Sequence, residues 1–328
     1  MKDWVIMMLR CPVCGGDMSL FSGHPQRVAC EKGHSYDVGR WVNFLTRPVT
    51  GHYRSSLFQA RRLIWNSGLF DRLAHRLAEL IGPEAVLLDA GCGEGSPLIR
   101  LLDCHVSDHP ALGEGDHAPN KISNCYANVE NKTNRINEAH CLAVGIDLAK
   151  DGIRLASGLE KRCEWVVGDL TQLPFQDNSF DVVVNLLSPA CYDEFVRVLK
   201  PSGRLFKIIP ENGYLQEIRA LISGPQSGSS LADDNIELLK PGRITSGQSL
   251  GTPREAITDR LERLFSNYHS ERLHYSYPID PTHKFNLVRM TPMCADHSDE
   301  ECATIADRLG DTITIDLRLI TASCKPDN

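Results

Sequence analysis

The sequence has no run of 18 apolar residues, so no membrane-spanning helix is implied. It lacks a secretory leader pattern as well. The apolar stretch near the start, Val5 to Leu9, is only five residues long and no small-residue cleavage site follows, which places the protein in the cytoplasm. Internal repeats are absent. Aromatic residues make up 7%, and 42% apolar with 23% charged residues excludes a disordered or collagen-like chain. An excess of basic residues is missing too: the formal charge is −7, whereas phosphate binders usually carry a basic footprint. That average conceals a division. Residues 1–66 hold nine Lys/Arg against four acids, a local +5 that leaves −12 for the remainder.

Cysteine, by contrast, is abundant. Twelve cysteines in a cytoplasmic chain of 328 residues point to metal or reactive roles rather than a disulfide framework. Cys11 and Cys14 form a C-x₂-C turn eased by Gly15 and Gly16, and Cys30 with His34 forms a second turn. Four soft or borderline ligands without a carboxylate favour a closed, tetrahedral zinc site of structural type. The segment is too short for a core of its own, so metal binding would supply much of its folding free energy.

Leucines 69, 73, 77 and 80 recur at helical spacing within a predicted helix from about Ser56 to Ile81, after a linker at Thr46 to Gly51. The run AVLLDAGCGEGS then reads as a strand ending at Asp89, a loop containing Gly91, Gly93, Glu94 and Gly95, and a helix. Such a loop lets backbone approach a ligand closely. A dinucleotide pattern would need glycine at position 96, where Ser96 stands. The acidic-led D-x-G-x-G-x-G form is the pattern of class I S-adenosylmethionine-dependent methyltransferases. CLAVGID gives a strand ending at Asp147, an acid placed for ribose hydroxyls. Asp147 lies 52 residues beyond Gly95, and the excess falls in residues 104–140, a surface insertion. Its Cys104, His105, His109, His117, Cys125 and His140 are irregularly spaced, which favours a solvated loop over a second metal site.

CEWVVGD carries a third strand to Asp169 and Leu170, a pair resembling the methyltransferase adenine pocket. A buried strand then runs to Asn185, ahead of Ser188 and Pro189, and GRLFKIIP is the fifth strand. The fold expected is α/β: a Rossmann-like, seven-stranded sheet closed by late antiparallel strands, with a small N-terminal zinc-binding domain. The domains read as 1–46 for zinc, 47–82 as a helical linker or cap, and 83–328 for the methyltransferase. Residues 223–253, rich in Gly, Ser and Pro, read as a loop, and a helix follows from about Pro253 to Ser266.

The acceptor is less sharply marked. Asn185-Leu-Leu-Ser-Pro189 is not the Asn/Asp-Pro-Pro-aromatic tetrapeptide of amino-group methylation, and Cys191 reads as a packed thiol rather than a nucleophile for carbon methylation. A ring nitrogen or a small-molecule heteroatom fits better, with Asn185, Ser188 and Pro189 positioning it.

Outside the insertion, the chain resembles the bacterial 23S ribosomal RNA guanine-N1 methyltransferases. The resemblance rests on LRCPVCGGDM…CEKGHSYDVGRWVNFL, SSLFQARRLIWNSGLFDRL, DAGCGEGS, SPACYDEFVRVLKPSGRLFKIIPENGYLQEI and VRMTPM. It implies a zinc domain joined to a methyltransferase domain, a homodimer, and an RNA hairpin in the cleft. It further implies that Cys11, Cys14, Cys30 and His34 ligate zinc and that Gly93 and Glu94 line S-adenosylmethionine. Phe70 stands where the family has a tyrosine cofactor contact, and Tyr214 where it has a histidine. Arg40, Arg47, Arg54, Arg61 and Arg62 would meet phosphates, while Trp41 and Phe44 either stack on a base or fill the zinc-domain core. Two other readings stay open: a small-molecule methyltransferase whose zinc knuckle caps the fold, and a catalytically silent RNA-binding assembly factor.

Overall fold

The computed structural model describes residues 1–21, 26–45, 55–106, 142–223 and 253–325. The expected linker at 46–51, most of the 104–140 insertion and nearly all of the 223–253 loop lie outside the described residues.

Helix α1 (Asp3–Met7) leads into a three-stranded antiparallel sheet of β1 (Met18–Phe21), β2 (Arg27–Cys30) and β3 (Ser35–Asp37). A two-residue strand, β4 (Val42–Asn43), then leaves this module and joins the main sheet. The predicted long helix is two: α2 (Ser55–Asn66) and α3 (Asp71–Ile81). The break falls at Gly68, whose φ of +88° is left-handed, a conformation a helix cannot continue through. Buried Leu69, Leu73 and Leu77 still face the core as their spacing predicts, with Leu80 only partly covered.

The doubly wound domain follows, from β5 (Val86–Ala90), α4 (Ser96–Val106), β6 (Leu142–Asp147), α5 (Lys150–Leu159) and β7 (Glu164–Val167) to β8 (Phe180–Leu186), α6 (Tyr192–Val198) and β9 (Leu199–Pro210). Because α4 runs to Val106, Cys104 and His105 end a helix rather than begin the insertion; His105 contacts the Ala78 carbonyl oxygen at 3.1 Å. After α7 (Gln216–Ser223), α8 (Pro253–Leu264) stops two residues before its expected end, because Phe265 already opens β10 (Phe265–Pro278). Helices α9 (Pro281–Arg289) and α10 (Asp299–Arg308) precede β11 (Thr312–Cys324); Asp280 caps the first, and a Ser298–Glu301 capping box starts the second.

The main sheet has the order β10-β11-β9-β8-β5-β6-β7-β4. Seven of these strands are the ones the motifs predict, with β10 and β11 antiparallel at one edge. The eighth, β4, is supplied by the N-terminal module and pairs parallel to β7, Val42 opposite Val166. Chain order reverses at β5, which lies between β6 and β8, and ligands of such sheets bind outside the carboxyl ends of the strands at that reversal.

The module does not own a separate core. Val5, Leu9, Val28, Val42 and Phe44 share one buried cluster with Val166, Phe175 and Phe180 of the sheet domain. Hydrogen bonds finish the seam: Arg10 N–H donates to Pro174 O at 3.1 Å, Gln176 N–H to Met8 O at 2.7 Å, and Arg10 pairs with Asp177 at 2.9 Å. Phe44 is buried beside Tyr36, their centroids 4.7 Å apart, so it is a core residue and is not free to stack on a base. Trp41 is partly covered, with the Lys150 ammonium 5.5 Å from its ring centroid.

Candidate functional site

The protein carries two constellations of chemistry-bearing side chains. The first is the knuckle. Ligand atoms of Cys11, Cys14, Cys30 and His34 all lie within 4.8 Å of one another. Cys11 Sγ is 3.6 Å from His34 Nδ1, Cys14 Sγ is 3.6 Å from Cys30 Sγ, and Cys30 Sγ is 3.4 Å from His34 Nδ1. A tetrahedral zinc with Zn–S bonds of about 2.3 Å has sulfur–sulfur edges of roughly 3.8 Å, so the donors fit that ion in number, type and spacing. Each turn closes on itself: Gly15 N–H donates to Cys11 O and Gly33 N–H to Cys30 O, with Gly15 and Gly33 at positive φ.

The second constellation is the crevice at the carboxyl ends of β5, β6 and β8. Gly91 and Cys92 N–H groups both donate to Ile146 O, which pins the glycine loop to β6. A side chain at Gly91 would put its Cβ 2.0 Å from Ser188 Oγ and 2.7 Å from Ser188 Cβ, and at Gly95 2.5 Å from Trp165. Asp147 accepts Gly93 N–H at 2.9 Å and Ala149 N–H at 2.7 Å, one on each carboxylate oxygen, leaving lone pairs for a ligand.

Three carboxyls crowd this loop. Burial pushes Asp89 up to about 8, and the nearby Asp147 and Glu94 charges add to the shift. Glu94 is raised by burial, against the pull of Arg61, and Asp147 is raised by burial, against its backbone hydrogen bonds. Asp89 Oδ2 and Glu94 Oε1 are buried without a hydrogen-bond partner. A pocket of this kind is unfinished: it favours a ligand that brings positive charge and donors. Arg61, from α2, is the balancing cation. Its guanidinium lies 3.8 Å from where a Gly93 Cβ would stand and acts electrostatically on Glu94, Asp147 and Tyr214. It forms neither a hydrogen bond nor an ion pair with any described residue.

Beyond β7, Asp169 Oδ1 accepts both the N–H and the hydroxyl of Thr171, each at 2.8 Å, which orients the carboxylate; Leu170 Cδ1 lies 3.7 Å from a Gly91 Cβ position. On the acceptor side, Asn185 is fully buried. Its Nδ2 donates to Ala90 O at 2.6 Å and Pro189 O at 3.1 Å, and its Oδ1 accepts from Lys207 Nζ at 2.5 Å. A cavity of about 420 Å³ lies at the opposite end of β5 and β8, between Ile81, Gly82, Asp181 and Arg204, away from these groups.

Residues 130–207 match the family model of a methyltransferase domain. The protein YxjB of Bacillus subtilis (strain 168), named as a 23S rRNA (guanine-N(1)-)-methyltransferase, is 34% identical over 95% of this chain and 96% of its own length. The chain belongs to that family. The 23S rRNA (guanine(748)-N(1))-methyltransferase of Streptomyces fradiae is 24% identical over 99% of both chains, and a Micromonospora griseorubida relative of the same class is 26% identical over 87% of this chain and 97% of its own.

The methyltransferase thus brings Asp89, Gly91, Gly93, Glu94, Gly95, Asp147, Asp169 and Leu170 to one crevice, with Tyr214 within reach of Arg61's charge. Phe70 is buried in the core with its ring 4.7 Å from Trp65. Two expectations change. Asn185 cannot hold a base edge, because every polar atom of its amide is spent inside the protein; Ser188, half-buried, and Pro189, exposed, are the loop residues that reach outward. Arg61 faces the glycine loop rather than phosphate, while Arg40 is exposed and Arg47 and Arg54 lie outside the described residues. Lys207 was not singled out by sequence reasoning. Its signal is a charge between Phe206 and Ile208, inside the stretch Leu205–Ile209 of β9 that is otherwise apolar and buried on both faces.

Proposed function

We propose that this methyltransferase transfers a methyl group from S-adenosylmethionine to N1 of a guanine in a hairpin of 23S rRNA. The observation that carries the reading is family membership along nearly the whole chain, knuckle included, and not only over the methyltransferase domain. The cofactor supplies an electrophilic methyl on a sulfonium. The residues around it divide the remaining work. Gly91 to Gly95 admit the ligand against bare backbone, and the unpartnered Asp89 and Glu94 oxygens suit its ammonium. Arg61 is the cation for its carboxylate, Asp147 has lone pairs for the ribose, and Asp169 with Leu170 takes the adenine. Tyr214 and Phe70 occupy the positions of the family's polar and aromatic contacts, with Phe70 buried against Trp65. Ser188 and Pro189 meet the acceptor.

Zinc, held by Cys11, Cys14, Cys30 and His34, would act structurally, since four protein ligands leave no open position. A division of the chain into zinc, helical and methyltransferase segments at 1–46, 47–82 and 83–328 that share their cores, a homodimer and a cytoplasmic location complete the proposal. No helix among the described residues is long and apolar enough to cross a membrane.

Methylation at N1 removes the N1–H Watson–Crick donor of guanine and puts a methyl group on the pairing edge, so primer extension on 23S rRNA should stop one nucleotide before the modified base. We expect that stop to vanish in a strain lacking the gene and to return when purified protein and S-adenosylmethionine are added to the unmodified RNA. An unchanged stop pattern would refute the reading.

A further inference from the structure

Lys207 lies on β9 directly opposite Asn185 of β8, in the interior of the sheet, and is 2% exposed. A lysine at such a position is costly unless its donors are used. Nζ donates to Asn185 Oδ1 and to Ser188 O, each at 2.5 Å. Burial alone pushes its amine down to about 7, and in the neutral form its two N–H groups have one acceptor each.

One acceptor, Asn185, stands near the carboxyl end of β8, and the other, Ser188 O, lies in the loop that follows it toward the methyl acceptor. That loop is strained: Leu187 has a φ of +48°, a left-handed conformation unfavourable for a branched side chain. Strain of this kind persists only where surroundings impose it. Here the ties are Leu187 N–H to Ile208 O at 3.1 Å, Asn185 Nδ2 to Ala90 O and Pro189 O, and the lysine bridge. Their joint effect seats Ser188 on Gly91, the first loop glycine.

We propose that Lys207 is the positioning residue of methyl transfer: by bridging Asn185 Oδ1 and Ser188 O it holds the strained Leu187 turn, so that Ser188 and Pro189 present a fixed edge to the acceptor. It acts through the loop and touches neither substrate. The inference rests on the methyl-transfer reading but not on guanine N1 as the acceptor.

The test is single-turnover transfer of labelled methyl from saturating S-adenosylmethionine to ribosomal RNA from a strain lacking the gene, with cofactor affinity measured separately by calorimetry. Lys207→Met should slow transfer about 10- to 100-fold, the scale set by a misplaced reacting group, while cofactor affinity stays within threefold. An unchanged rate would overturn the proposal, and so would parallel loss of rate and affinity, which is the mark of general damage. The double variant Lys207→Met/Asn185→Leu removes both ends of the bond, but it also takes the donor from Ala90 O and Pro189 O, so it should be no faster than Lys207→Met. Recovery of rate in the double variant would reduce Lys207 to a packing role. Wild-type protein that labels no RNA would instead overturn the substrate reading, and the two failures are therefore distinguishable.

Discussion

The knuckle and the crevice are both turned by glycines at positive φ, yet they are built on opposite principles. In the knuckle the ligands span 24 residues, the hydrogen bonds close within each turn, and Gly33 has nothing within 4 Å of where a Cβ would stand. In the crevice the parts come from residues 61 to 214, and Gly91 has Ser188 in the way of any side chain. A local site tolerates its surroundings, whereas an assembled one is only as good as its neighbours.

The comparison can be broken at several points. The largest effect is expected from Cys11→Ser, which should release zinc by metal analysis and abolish RNA methylation while cofactor affinity falls less than about 10-fold by calorimetry; full activity in the metal-free protein would dissolve the division between the two sites. Next comes a pair of glycine variants. Gly91→Ala combines left-handed strain with a clash that rotation of Ser188 cannot relieve, because Ser188 Cβ is also too close, and should weaken cofactor binding by roughly 100-fold. Gly33→Ala meets only the strain, about 1–2 kcal/mol of stability in a melting experiment, and should keep both zinc and activity. Equal losses from the two would contradict the contrast.

Arg61→Met tests the assembled site electrostatically. A charge-assisted contact of about 1.5–3 kcal/mol translates to roughly 10- to 100-fold in affinity for S-adenosylmethionine. The decarboxylated analogue should bind wild type and variant alike, and a matching loss there would remove the arginine from the carboxylate.

The smallest effect concerns Asp89. Its pKa of about 8 in the free protein exceeds the ordinary carboxylate value, so near neutral pH it is protonated, and a cationic ligand that prefers the ionised form must expel that proton. Cofactor affinity should therefore rise severalfold between pH 6.5 and 8.5, and the rise should flatten in Asp89→Asn. The same raised pKa makes a stabilising contribution in acid that is lost as pH climbs through about 8, so the cofactor-induced gain in melting temperature should grow over the same interval.

What could be read from sequence follows the same contrast. Cysteine spacing reports the knuckle because its ligands are sequence neighbours, and D-x-G-x-G-x-G reports the loop because the backbone demand is local. Seven strands were legible from apolar runs. The eighth was not: Val42 and Asn43 carry no periodicity, and pairing with β7 is decided by packing across more than a hundred residues. Arg61 was visible in the QARR run, but its direction depends on how α2 lies over the loop. Asn185 looked like a substrate contact because strand ends usually are, and only the neighbouring strand's lysine shows that its amide is already occupied.

The seam between module and sheet has a consequence for the order in which the chain is made. Val42 leaves the ribosome 124 residues ahead of Val166, its partner in the sheet. At about 5–20 residues per second, the apolar face formed by Val5, Leu9 and Phe44 waits some 6–25 s before the surface that covers it exists. Early metal capture would hold the turns in shape through that interval, so a shortage of zinc during synthesis should show as aggregation of part of the nascent chains, in addition to the loss of methylation in the protein that does fold.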